Sequence, residues 1–172
     1  TVLGHLRHET GHHLYQRCIE GGAQVEVFRR LFGDERADYA AALRAHYAQG
    51  APADWPQRHI SAYASAHPWE DWAETCAHYL LMADAVETAT AWGLELAATE
   101  RRPAPTDTAP PSIERLLFDH WLPIARFMNA MSRSLGLADS YPYLLAEPVI
   151  GKLRFVQAVL AERTTATSRS AE

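Results

Sequence analysis

Residues 3–13 read Leu3-Gly4-His5-Leu6-Arg7-His8-Glu9-Thr10-Gly11-His12-His13, and inside them lies His8-Glu9-Thr10-Gly11-His12. Leu3, Leu6, Thr10 and Leu14 recur at three- and four-residue steps, so about 2–18 is expected to be an amphipathic helix. On a helix, positions i and i+4 share a face. His8 and His12 can then reach one metal ion at Zn–N distances of about 2.0–2.1 Å. Glu9, beside the first imidazole, can take a proton from a water at the open position. Gly11 is costly inside a helix, by roughly 1 kcal/mol against Ala. It implies a close backbone approach or a need for space at that turn. The competing reading is a helix that is merely His-rich, since His5, His8, His12 and His13 all lie here.

Catalytic zinc normally has three protein ligands and an open position. The residues after His12 offer no glycine followed by a third histidine, so the metzincin continuation fails. A carboxylate from elsewhere is the natural third ligand. The best source is Trp69-Glu70-Asp71-Trp72-Ala73-Glu74, where Glu70 and Glu74 are i and i+4 among apolar and aromatic neighbours. Like charges at that spacing repel unless something positive compensates. Zn²⁺ would do so for Glu70. The N–H of a ligating histidine would do so for Glu74, which fixes that ring's tautomer. His67 and His78 extend the same face. The bland alternative is a first helical turn rich in acids because of the helix dipole.

The rest of the chain supports a mainly α fold. Further helices are expected over about 23–32, from an Asp34 cap to about 48, from Pro68 to about Trp92, from Ser112 to about Gly136 with a kink at Pro123, and from Pro148 to about Arg163. Residues 59–67 are open between a short extended segment and an irregular loop. Residues 100–111, with four prolines, are expected to be a flexible connector, and 164–172 a disordered tail. Residues 1–163 are taken as a single domain.

Composition narrows the function. The 172 residues carry 16 Lys+Arg and 21 Asp+Glu, a formal net charge of −5, which argues against nucleic acid or an anionic membrane as partner. No apolar run approaches the ~20 residues of a membrane span. Two cysteines, Cys18 and Cys76, are too few for a disulfide framework, so a reducing, cytoplasmic setting is expected. Cys76 lies on a different side of its helix from Glu70 and Glu74 and is read as a small buried hydrophobe.

Together these residues resemble the gluzincin type of zinc metallopeptidase. More closely, the chain resembles a bacterial zinc-binding metallopeptidase family whose members often carry an N-terminal zinc ribbon. The stretches that carry the resemblance are LGHLRHETGHH (3–13), LFGDERADYAAAL (31–43), SAYASAHPWEDWAETCAHYL (61–80), NAMSRSLGLADSYPY (129–143) and KLRFV (152–156). The resemblance implies a zincin-like domain in which a helix with His8, Glu9 and His12 faces a glutamate helix. It implies one Zn²⁺ per chain held by His8, His12 and Glu70, with Glu9 as general base and Glu74 behind a ligating histidine. By likeness to toxin-type gluzincins, Tyr63 is placed where a phenol can hold the oxyanion. The substrate would be a peptide or protein. Only seven residues precede His8, so the upstream strands and the zinc ribbon are expected to be missing. Arg133 with Asp139 is expected to pin a turn as an ion pair. The alternative function is a non-catalytic zinc-binding scaffold, in which His13, His67 or His78 closes the site as a fourth ligand.

Overall fold

The computed structural model describes residues 1–94, 96, 112–142 and 145–169. The expected connector at 100–111 lies outside the described residues. Among those described there is no strand, and the chain is mainly helical. It forms two compact units. The first comprises Thr1–Leu80 with the chain from Leu145 onward, and the second is Leu81–Leu144. No described helix is long and apolar enough to cross a membrane.

The first unit holds α1 (Val2–Cys18), α2 (Val25–Phe32), α3 (Tyr39–Gln49) and the start of α4 (Pro68–Ala91). Its core is built from residues one helical turn apart: Tyr15 of α1 and Ile19 at its C-cap, Phe28 and Phe32 of α2, and Trp72 and Cys76 of α4. Phe155, Val156 and Val159 of the C-terminal helix complete it. The rings meet mostly edge to face, with Phe32 and Trp72 5.6 Å apart and Trp72 and Phe155 5.8 Å apart, an arrangement aromatic quadrupoles favour. Cys76 is buried, as expected of a small hydrophobe.

Two details set the spacing of α1 and α4. A Cβ on Gly11 would lie 2.8 Å from Ala73 Cα, so the expected backbone approach is present. The indole N–H of Trp72 then donates to the Gly11 carbonyl at 2.8 Å. A buried ion pair adds a tie that the sequence did not reveal. Lys152 Nζ donates to Asp71 Oδ2 at 2.5 Å and to the Arg58 carbonyl at 2.7 Å. His59 Nδ1 lies 3.0 Å from the same carboxylate oxygen.

One local expectation is corrected and one open alternative is decided. Helix α3 is capped by Asp38, whose carboxylate accepts from the Ala41 N–H, not by Asp34. Asp34 is engaged by the Arg36 backbone N–H and guanidinium, so it cannot serve a helix start four residues on. Residues 59–67 contain a 3-10 turn at Tyr63–Ala66 and no strand.

In the second unit Ser112 caps α5 (Ile113–Arg115) by accepting from the Arg115 N–H. A π-helical stretch, Leu116–Trp121, follows and leads into α6 (Leu122–Ser134). Pro123 lacks an N–H and its ring would collide with the carbonyl four residues back; the wider π turn before it absorbs that conflict. Asn129, fully buried, accepts from the Ser140 and Tyr141 N–H groups and donates to the Tyr141 carbonyl. Arg133 pairs with Asp139 through two hydrogen bonds. Helix α7 (Glu147–Arg169) starts near the expected point but continues six residues past Arg163 into the stretch read as a tail. Residues 170–172 lie outside the described residues.

Candidate metal centre

The close approach at Gly11 puts one face of α1 against the first turns of α4. His8 Nε2 lies 3.1 Å from Glu70 Oε2, and His12 Nε2 lies 3.7 Å from Glu70 Oε1. One ligand atom from each of His8, His12 and Glu70 falls within 4.8 Å of the others. No other group of three or more His, Cys, Asp or Glu side chains among the described residues meets this description. A tetrahedral ion with bonds of about 2.0–2.1 Å separates its ligands by roughly 3.3 Å, which these distances approach. Glu70 is 1% exposed, and its Oε2 has no hydrogen bond. Two imidazole nitrogens and a buried carboxylate oxygen free of hydrogen bonds form a donor set that suits zinc.

Glu74 does not join that group. Its Oε1 lies 2.7 Å from His8 Nδ1, and its Oε2 accepts from the Ser61 hydroxyl at 2.6 Å. With Nδ1 donating to Glu74, the Nε2 lone pair of a neutral His8 faces Glu70. The carboxylates of Glu70 and Glu74, one at each ring nitrogen, hold the metal-free His8 protonated up to about pH 9. Burial instead pushes His12 down, toward the neutral ring. Burial pushes both carboxyls upward, but the His8 ring and the Tyr39 hydroxyl beside Glu70, and the His8 ring and the Ser61 hydroxyl beside Glu74, outweigh it and leave both below the usual range.

The group opens onto a cavity of about 600 Å³ whose walls include Glu9, Tyr39, Tyr63 and Trp69. Glu9 sits at the exposed rim, with His5 Nε2 3.6 Å from its carboxylate. The Tyr63 ring stands 6.0 Å from that of His8, and burial raises its phenol well above the ordinary range. Trp69 packs against His12 with ring centroids 4.3 Å apart. The candidates for a closing fourth ligand do not join the cluster. His13 is exposed. His67 has both nitrogens engaged, by the Trp69 N–H and the Ala37 carbonyl. His78, a turn beyond Glu74, is pushed below the usual imidazole range by burial.

Two members of the site escaped the sequence reading. Ser61 steadies Glu74. Tyr39 donates to Glu70 Oε1 at 2.7 Å, and burial followed by that carboxylate pushes its phenol up to about 12. Nothing local marks Tyr39, at the head of an Ala-rich helix. Its only signal was its place within LFGDERADYAAAL, one of the stretches that carry the family resemblance.

A family model described as "Putative zinc-binding metallo-peptidase" matches residues 1–159. Uncharacterized proteins of Mycobacterium bovis and of Mycobacterium tuberculosis are 44% identical over 164 residues. The match covers 94% of this chain and 47% of each relative, so the chain spans about half the length of the proteins it resembles. No solved structure gives a significant match.

Proposed function

This chain belongs to the family described as "Putative zinc-binding metallo-peptidase", and from that membership we propose a gluzincin-like, zinc-dependent peptidase with one Zn²⁺ held by His8, His12 and Glu70. The observation that carries the reading is the convergence of those three side chains within 4.8 Å beside a cavity that Glu9 also lines. Zinc in this position would supply a Lewis acid for the scissile carbonyl and lower the pKa of a water.

The chain's own residues do the rest. Glu9, solvated at the rim, accepts the proton of the attacking water and returns it to the leaving amine. Tyr63 donates its phenolic hydrogen to the developing oxyanion, and burial keeps that hydrogen in place at neutral pH. Glu74, held by Ser61, orients the His8 ring. A scaffold with structural zinc would call for a fourth protein ligand. The three-membered group, with its open side on the cavity, favours hydrolysis of a peptide or protein. Cys18 and Cys76 form no disulfide, which fits a reducing compartment such as the cytoplasm.

Metal content tests the site. Elemental analysis after mild dialysis should find one zinc per chain, and Glu70→Ala should lose most of it. Full retention in the variant would remove Glu70 from the ligand set.

The protonation of His8 makes a second test. A ligating imidazole must be neutral, and metal-free His8 titrates at about 9. Zinc binding at pH 7 should therefore release about one proton from His8. Affinity should climb about tenfold per pH unit toward pH 9 and then level. The sign follows from a raised pKa: protons compete with zinc below it and not above. Calorimetry in buffers of different ionisation enthalpy counts the protons, and a count of zero at pH 7 would show that metal-free His8 is already neutral there.

A further inference from the structure

The two oxygens of Glu70 are not equivalent. Oε1 accepts the Tyr39 hydroxyl at 2.7 Å, whereas Oε2 has no hydrogen bond and faces His8 Nε2 at 3.1 Å. Tyr39 is itself held from three directions. Asp38 caps α3, which makes Tyr39 the first residue of that helix. The ring stands edge-on to His67 at 5.2 Å and to Trp69 at 5.6 Å. His67 is fixed in turn. Its Nδ1 accepts the Trp69 backbone N–H at 3.1 Å, so the ring hydrogen must be on Nε2, which donates to the Ala37 carbonyl at 3.1 Å. His67 thus joins the residue before Asp38 to the first turn of α4. Through it, the Tyr39 hydroxyl and the Glu70 carboxylate are set at one distance.

We propose that Tyr39 is a positioning residue that makes Glu70 a one-oxygen ligand. By occupying Oε1, its hydroxyl keeps the carboxylate from closing on the metal with both oxygens. A coordination position then stays open toward the cavity. This rests on the zinc site proposed above. It assigns His67 a supporting role, as the link that orients Tyr39, and not the closing fourth-ligand role of the scaffold alternative.

The test compares wild type, Tyr39→Phe and Tyr39→Ala, loaded with cobalt(II) in place of zinc and, separately, with zinc. Tyr39→Phe keeps the ring against His67 and Trp69 and removes only the hydroxyl. Its thermal midpoint without metal should fall modestly, by the loss of one hydrogen bond to a buried carboxylate, and by less than that of Tyr39→Ala, which also loses the ring. Its cobalt visible absorption should lose intensity, because a second carboxylate oxygen raises the coordination number and weakens those bands. With zinc, turnover of a labelled protein substrate should fall about tenfold or more with KM little changed. Tyr39→Ala should show the same spectral change together with lower stability. A Tyr39→Phe spectrum superimposable on wild type would overturn the role of the hydroxyl while leaving the zinc site standing. A wild-type chain that binds no cobalt or zinc would overturn both.

Discussion

Glu9→Gln will keep its zinc and lose peptidase activity by about 10²–10⁴-fold, the range general acid–base catalysis supplies. The side chain is solvated at the rim of the cavity and touches His5 only at 3.6 Å, so removing its charge disturbs no packing. It is also absent from the ligand group. Metal content and stability should therefore stay at wild-type values while turnover of a labelled protein substrate collapses. That separation is the useful part of the experiment. Equal activity in the variant and wild type would leave Glu9 without a part in the chemistry and return the non-catalytic zinc scaffold to first place. Loss of zinc along with activity would mean Glu9 supports the site structurally.

Gly11→Ala should destabilise the metal-free protein although alanine is the better helix former. Propensity favours the substitution by about 1 kcal/mol. Against it, the new Cβ would sit 2.8 Å from Ala73 Cα, 3.1 Å from Ala73 O and 3.1 Å from Cys76 Cβ. Two of those neighbours are backbone atoms and cannot turn aside. Overpacking of this kind costs typically about 1–3 kcal/mol and occasionally more, and the displaced Gly11 carbonyl would also strain its bond from Trp72. The outcome should be a net loss of about 1–2 kcal/mol, or several degrees in Tm for a chain of this size. Zinc affinity should fall with it, because the same helix separation sets the distance from His8 and His12 to Glu70. Gly11→Val should be worse on both measures. A midpoint at or above wild type would show that α1 and α4 part easily, and that the glycine is not what holds the site in register.

These expectations divide by the kind of information each needs. The helix of His8, Glu9 and His12 was legible because a period of 3.6 residues converts a five-residue string into a shared face. The Glu70–Glu74 pair was legible for the same reason, helped by aromatic neighbours that make two uncompensated carboxylates implausible. Even the close approach at Gly11 could be anticipated, since a mid-helix glycine costs stability with no local return. The Asp38 cap was missed because Asp34 offered the same side chain four residues earlier, and only the positions of Arg36 and Ala41 decided between them. The length of α7 was missed because the polar composition after Arg163 carries no apolar face to read.

The sequence by itself determined a mainly helical chain, the two helices that carry the candidate metal ligands and the residue types at each turn. These are consequences of backbone periodicity and side-chain chemistry, which act over a few residues. Only the tertiary structure decided how the carboxylates divide their work. Glu74 goes to His8 Nδ1 and Ser61, while Glu70 faces both imidazoles with Tyr39 on one of its oxygens. Tyr39 and Ser61 lie 31 and 13 residues from the glutamates they bond, as Lys152 lies 81 residues from Asp71. A hydrogen bond acts across about 3 Å of space whatever the separation along the chain, so pairs like these become visible only once packing has brought the helices together.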